Sequence, residues 1–196
     1  MEKKYTITLR LSYDQFAWLG ALCRRYGILY VVDAAQSAGV YDINMMRDGI
    51  SVLCAPGHKG LYGPQGSGFA AFADDFDFER VSCSLYGGNG KNSKETGMGH
   101  EPPDSYEAGT VATPSIVGLG AGLNYVKTVG REKIEQHENS LMRYGRELLK
   151  SHRNVRIYLP QADRGAILLL GFDGISPSEV SAKLGDAGVC TRAGLH

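Results

Sequence analysis

Two short apolar runs, each opening into a loop with one chemically useful charge, constrain this chain more than any other feature. Ile28-Leu29-Tyr30-Val31-Val32 ends in Asp33 and continues as Ala34-Ala35-Gln36-Ser37-Ala38-Gly39. Ile50-Ser51-Val52-Leu53-Cys54 leads into Gly57-His58-Lys59-Gly60, with Lys59 twenty-six residues after Asp33. Apolar runs of this length, bounded by turn residues, read as buried strands. Two strands of one sheet therefore deliver an acid and an amine to the same edge.

That pair suits pyridoxal phosphate. A lysine amine forms a Schiff base with the cofactor aldehyde, and a carboxylate against the pyridine nitrogen keeps it protonated, so that the ring accepts electrons from a substrate carbanion. Lys59 would be the Schiff-base lysine and Asp33 the pyridinium partner. The plainer alternative is a turn-capping aspartate and a solvated loop lysine, since most charged side chains lie at the surface.

Longer stretches decide between these readings. Val32-Asp33-Ala34-Ala35-Gln36-Ser37-Ala38-Gly39, Gly57-His58-Lys59-Gly60-Leu61-Tyr62-Gly63-Pro64-Gln65-Gly66 and Tyr106-Glu107-Ala108-Gly109-Thr110 resemble three motifs of the class V aminotransferase family, in the family's order. Within it, the chain is most similar to the cysteine desulfurase and selenocysteine lyase branch. The resemblance implies an α/β fold, a fragment of the fold type I pyridoxal-phosphate transferase. Residues 1–150 would be the C-terminal part of the large cofactor-binding domain with a linking helix, and residues 151–196 an incomplete small C-terminal domain.

The resemblance also implies roles for individual residues. Gln36 matches the side chain that donates to the cofactor's phenolic oxygen, and His58 the histidine that reaches the phosphate. Thr110 matches a threonine that reaches the phosphate of a neighbouring subunit, which implies a homodimer. Arg192 resembles an active-site arginine beside the substrate, cysteine or a related amino acid. Pro56 departs from the pattern: the family usually places a serine or threonine there, and proline offers neither a hydroxyl nor an N–H. Family members are roughly twice this length, so an upstream half is expected to be missing. Cys190 falls seven residues before the desulfurase cysteine, whose position would follow His196 directly. The function implied is removal of sulfur from cysteine, giving alanine, by an enzyme represented in part. A non-catalytic remnant, or a subunit needing a partner, remains open, as does an aminotransferase or amino-acid lyase using the same lysine.

The 196 residues carry 21 basic and 21 acidic side chains, which gives no bias toward nucleic acid or anionic membranes. No apolar stretch approaches a membrane span and the start lacks a signal-peptide core, so a cytoplasmic protein is expected. Cys23, Cys54, Cys83 and Cys190 lack metal-ligand spacing and read as reduced thiols, with no metal expected. Glycine is abundant at 26 residues. Five of them fall between Gly57 and Gly68, as expected where backbone approaches a ligand, and five between Gly87 and Gly99, as in a long loop.

Along the chain, Tyr5, Ile7, Leu9 and Leu11 alternate like a strand. Ser12-x-x-Gln15 reads as a capping box for a helix that buries Phe16, Leu19, Leu22 and Cys23 and closes at Gly27. Strands follow at 28–32, 50–54 and 68–72. Thr113-Pro114 opens a long helix with Ile116, Val117, Leu119, Leu123 and Val126 on one side. A break at Gly130 precedes a second helix through Ile134, Leu141 and Leu148. Beyond Ser151, strands at 155–159 and 166–172, a helix opened by Ser176-Pro177-Ser178-Glu179 and an end strand at 188–192 are expected.

Overall fold

The structure, a computed structural model, describes residues 12–88, 96–158 and 165–194. The alternating run at Tyr5–Leu11 lies outside them. The chain divides into two compact units, Met1–Arg131 and Glu132–His196.

In the first unit, helix α1 (Tyr13–Arg25) starts at the capping box expected: Gln15 N donates to Ser12 Oγ, and Ser12 N donates to Gln15 Oε1. Phe16, Leu19, Leu22 and Cys23 are half-buried along one face. The helix ends in a Schellman cap, with Gly27 at φ 64°, its N–H on Arg24 O and the Ile28 N–H on Cys23 O. This cap shortens the first expected strand. Ile28 already serves the helix end, so the ladder runs only over β1, Val31–Asp33.

Strand β2 (Val52–Pro56) pairs parallel with β1, and β3 (Gly68–Phe72) pairs antiparallel with β2. β2 extends two residues beyond the apolar run because β3 continues to pair with it. Pro56 stands opposite Gly68 at the very end, where its missing N–H interrupts no further ladder. Ala34, Ala55, Leu61 and Leu119 form the buried core, with Val32, Ala38, Ile43 and Leu53 packed around them. Leu119 comes from helix α2 (Thr113–Val129), which begins at the Thr113-Pro114 signal and ends at Gly130, φ 91°.

Helix α2 differs from its sequence reading in the face that it buries. Val117 is 69% exposed, and Ile116 and Leu123 are also exposed, whereas Leu119 and Gly122 are buried. A Cβ added to Gly122 would lie 2.3 Å from Leu61 O, and one added to Gly118 would lie 2.8 Å from the Pro64 ring. The smallest residues therefore turn inward, because a neighbouring loop comes too close for anything larger.

The second unit contains α3 (Arg131–Lys150, its first residue belonging to the first unit), the antiparallel pair β4 (Val155–Ile157) and β5 (Leu170–Phe172), and α4 (Pro177–Asp186). Along α3, Ile134 is buried but Leu141 and Leu148 are exposed. Tyr158 N donates to Leu169 O just past β4, and residue 159 of the expected strand lies outside the described residues. Ser176 caps α4 as expected, accepting from Glu179 N. The end strand expected at 188–192 does not form. Gly188, at φ 82°, and Val189 close α4 by a second Schellman cap, donating to Gly185 O and Leu184 O. Thr191 then turns to the helix, its carbonyl accepting from Ser181 Oγ. A segment committed to a cap and to a side chain has no ladder partner.

Candidate cofactor site

The parallel pairing of β1 and β2 sets Asp33 level with Cys54, and the Ala34 N–H donates to Cys54 O at 2.8 Å. Both strands therefore end on the same side of the sheet. Asp33 is exposed, and its Oδ1 accepts from the Ala35 N–H at 2.9 Å. The bond closes a turn of the kind aspartate favours. It also fixes the carboxylate's direction while leaving acceptor capacity, since a carboxylate takes several donors. Bonds from Ser37 N and Ala38 N to Ala34 O wind the following residues into a tight turn, on which Gln36 is exposed.

Beyond β2 the chain makes a closed loop. Gly57 N donates to Ser67 O, Gly63 N returns to Gly57 O at 2.7 Å, and inside this ring Tyr62 N donates to Lys59 O at 2.9 Å. His58 and Lys59 lie on it with exposed side chains. The two loops interlock backbone against backbone. A Cβ on Gly39 would lie 2.0 Å from Gly60 O, and one on Gly60 would lie 2.4 Å from Ala38 O. Gly57 and Gly63 crowd Ser67, Leu119 and one another in the same way. The glycine-rich loop thus answers close approach by the protein's own backbone, a use that glycine composition did not distinguish from approach by a ligand.

Three of the exposed candidate side chains stand beside core residues. Ala34, fully buried, follows Asp33; Ala55 and Leu61, both nearly buried, flank His58 and Lys59. The structure brings the Asp33–Gln36 turn and the His58–Lys59 loop together. Thr110 is exposed between Gly109 and the start of α2, and Arg192 is exposed in the second unit. Sequence reasoning missed Tyr62, Gly122 and Tyr125, which hold the lysine loop. The Tyr62 and Tyr125 rings lie 5.0 Å apart, and Tyr62 has φ 56°. Nothing in the amino-acid pattern marks a tyrosine for left-handed backbone.

At the opposite strand ends the electrostatics change character. Asp48, fully buried, accepts hydrogen bonds from Arg47 Nε, Tyr13 Oη and Asn44 N. Burial pushes its carboxyl up, but those donors, Arg47 foremost, outweigh burial and hold it below the usual carboxylate range. A cavity of about 170 Å³ opens at this end, lined by Arg24, Ile50, Asp75, Asp77 and Arg80 among others. Among the described residues no His/Cys/Asp/Glu cluster could hold a metal ion, the four cysteines are free, and no helix is long and apolar enough to cross a membrane.

The side chains on the two loops are of types that could hold pyridoxal phosphate: an amine for its aldehyde, a carboxylate to accept from its ring nitrogen, an amide for its phenolic oxygen and an imidazole for its phosphate. Pro56 adds no donor, and it ends β2 as its backbone.

The family described as aminotransferase class V matches residues 13–196. A probable cysteine desulfurase of Methanothermobacter thermautotrophicus is 31% identical over 180 residues, covering 91% of this chain and 45% of the relative. Among solved structures, a cysteine desulfurase from Thermococcus onnurineus superposes with a TM-score of 0.81 at 31% identity, over 91% of this chain and 45% of its own. One from Escherichia coli does so with a TM-score of 0.75 at 25% identity, over 90% and 44%. The chain spans less than half the length of these relatives.

Proposed function

Because the chain belongs to the class V aminotransferase family, we propose that its two interlocked loops are the lysine-bearing part of a pyridoxal phosphate site serving a cysteine desulfurase-like reaction. The observation that carries this reading is the Gly39–Gly60 backbone contact, which locks the acid loop to the lysine loop. When bound, the cofactor supplies an electron sink for charge developing at the substrate's α-carbon.

In this reading Lys59 anchors the cofactor through its amine, then holds and returns the proton at the substrate carbon. Asp33 keeps the ring nitrogen protonated, and its Ala35 bond prevents the carboxylate from turning away. Gln36 donates to the phenolic oxygen and His58 to the phosphate. Thr110 completes the phosphate site of a neighbouring subunit in a homodimer, and Arg192 pairs with the amino-acid substrate, cysteine or selenocysteine. We assign residues 1–150 to the large domain and its linking helix, residues 151–196 to the small domain, and the protein to the cytoplasm. The similarity to named cysteine desulfurases favours this reaction over aminotransfer.

The test is incubation of the chain with pyridoxal phosphate, borohydride reduction and peptide mass spectrometry, alongside Lys59→Ala. A reduced adduct on the peptide containing Lys59, absent from the variant, is expected. Equal labelling of the variant, or labelling spread over surface lysines, overturns the reading.

A further inference from the structure

We propose that Tyr62 is a positioning residue for Lys59, clamping the lysine loop to α2; the inference rests on the cofactor reading above. Tyr62 has φ 56°, and among the described residues it is the one non-glycine residue at positive φ. Side chains other than glycine and the short polar ones enter this region at a cost, and they persist there only where the surroundings enforce it. Three contacts enforce it here. The Tyr62 N–H donates to Lys59 O, closing the turn that contains the lysine. Gly122 lies so near that an added Cβ would be 2.7 Å from Tyr62 C and 2.8 Å from Gly63 N. The Tyr62 ring meets Tyr125, which stands one helical turn beyond Gly122.

Glycine would take this backbone conformation without strain, so the tyrosine is present for its ring. Tyr62 is 52% exposed, which makes core burial a poor reason for its ring. Its packing partner is Tyr125, itself 52% exposed. The pair therefore acts as a fastening between the lysine turn and a rigid helix. The left-handed bend at Tyr62 also allows Gly63 N to return to Gly57 O, closing the larger loop around Lys59. Without the ring, the turn remains possible but is no longer the single conformation that aims the amine.

The test compares the full chain with Tyr62→Gly, Tyr62→Phe and Tyr125→Leu. The readouts are the limiting rate of borohydride-trappable capture of pyridoxal phosphate by Lys59 at saturating cofactor, the rate of Lys59 acylation by a water-soluble reagent without cofactor, and the urea unfolding midpoint. Tyr62→Gly and Tyr125→Leu should each slow limiting capture roughly tenfold, the scale of modest misplacement of a reacting group, and change acylation of Lys59 alone among the lysines. Tyr62→Phe should retain the parent rates, since the ring is kept. A merely structural role would move the unfolding midpoint and leave limiting capture unchanged, and that outcome overturns the proposal. Failure of the parent chain to form any Lys59 adduct overturns the cofactor reading and this role with it. An adduct in the parent that forms equally fast in Tyr62→Gly overturns this role alone.

Discussion

The two ends of the β1–β2 pair treat a carboxylate in opposite ways. At one end Asp48 is sealed from water and answered by Arg47, Tyr13 and Asn44, with Arg47 also bridging to Asp42 at 2.7 Å. At the other, Asp33 is exposed and held by a bond to its own loop, with Lys59 equally exposed on the neighbouring loop. A buried carboxylate must find its partners within the protein. An exposed one, oriented but not consumed, can still take a partner from outside. The first arrangement stabilises the unit, and the second is suited to binding.

The sharpest way to break this contrast is to remove the buried acid. Asp48→Ala leaves Tyr13 and Asn44 without their acceptor and should cost about 3 kcal/mol, read as a fall in the urea midpoint, while Lys59 remains the labelled lysine in the folded protein. A stability change no larger than that of an exposed site would erase the distinction. Gly122→Ala should follow at about 2 kcal/mol, because its methyl would strike the Leu61 carbonyl. Unlike the Asp48 change, it should disturb Lys59 capture as well. An alanine variant with unaltered stability and capture would mean that α2 does not press on the loop.

Acid sharpens the comparison more gently. The folded Asp48 carboxyl is held low, so its contribution is present above its unfolded value of about 4 and is lost as pH falls through the lower native value. Unfolding midpoints measured from pH 6 down to pH 2 should decline less steeply in Asp48→Asn than in the parent. The smallest effect on stability belongs to Lys59→Ala, expected within about 0.5 kcal/mol because the side chain is exposed. Yet it should abolish covalent capture, separating function from stability at this end.

Much of this was legible in the residues. The capping box at Ser12, the helix start at Thr113-Pro114, the stop at Gly130 and the Ser176 cap each depend on a few neighbouring side chains, and all of them formed. Residues 188–192 did not become a strand because pairing requires a partner elsewhere, and Gly188 had already been committed to ending α4. The buried face of α2 was misread for a related reason. Its apolar residues outnumber what one face can cover, and the choice fell to Leu119 and Gly122 because the lysine loop needed room.

The sequence by itself determined the local chemistry of this protein: where the capped helices begin and end, and that an acid and an amine follow two apolar runs. Those signals act over a few residues and need no distant partner. Only the tertiary structure decided that Gly39 and Gly60 interlock the two loops, that Gly122 and Tyr125 press on Tyr62, and that Asp48 rather than Asp33 is buried. Those outcomes depend on which backbones meet across the sheet and helix, and close packing between segments far apart in the chain leaves no mark on either segment alone.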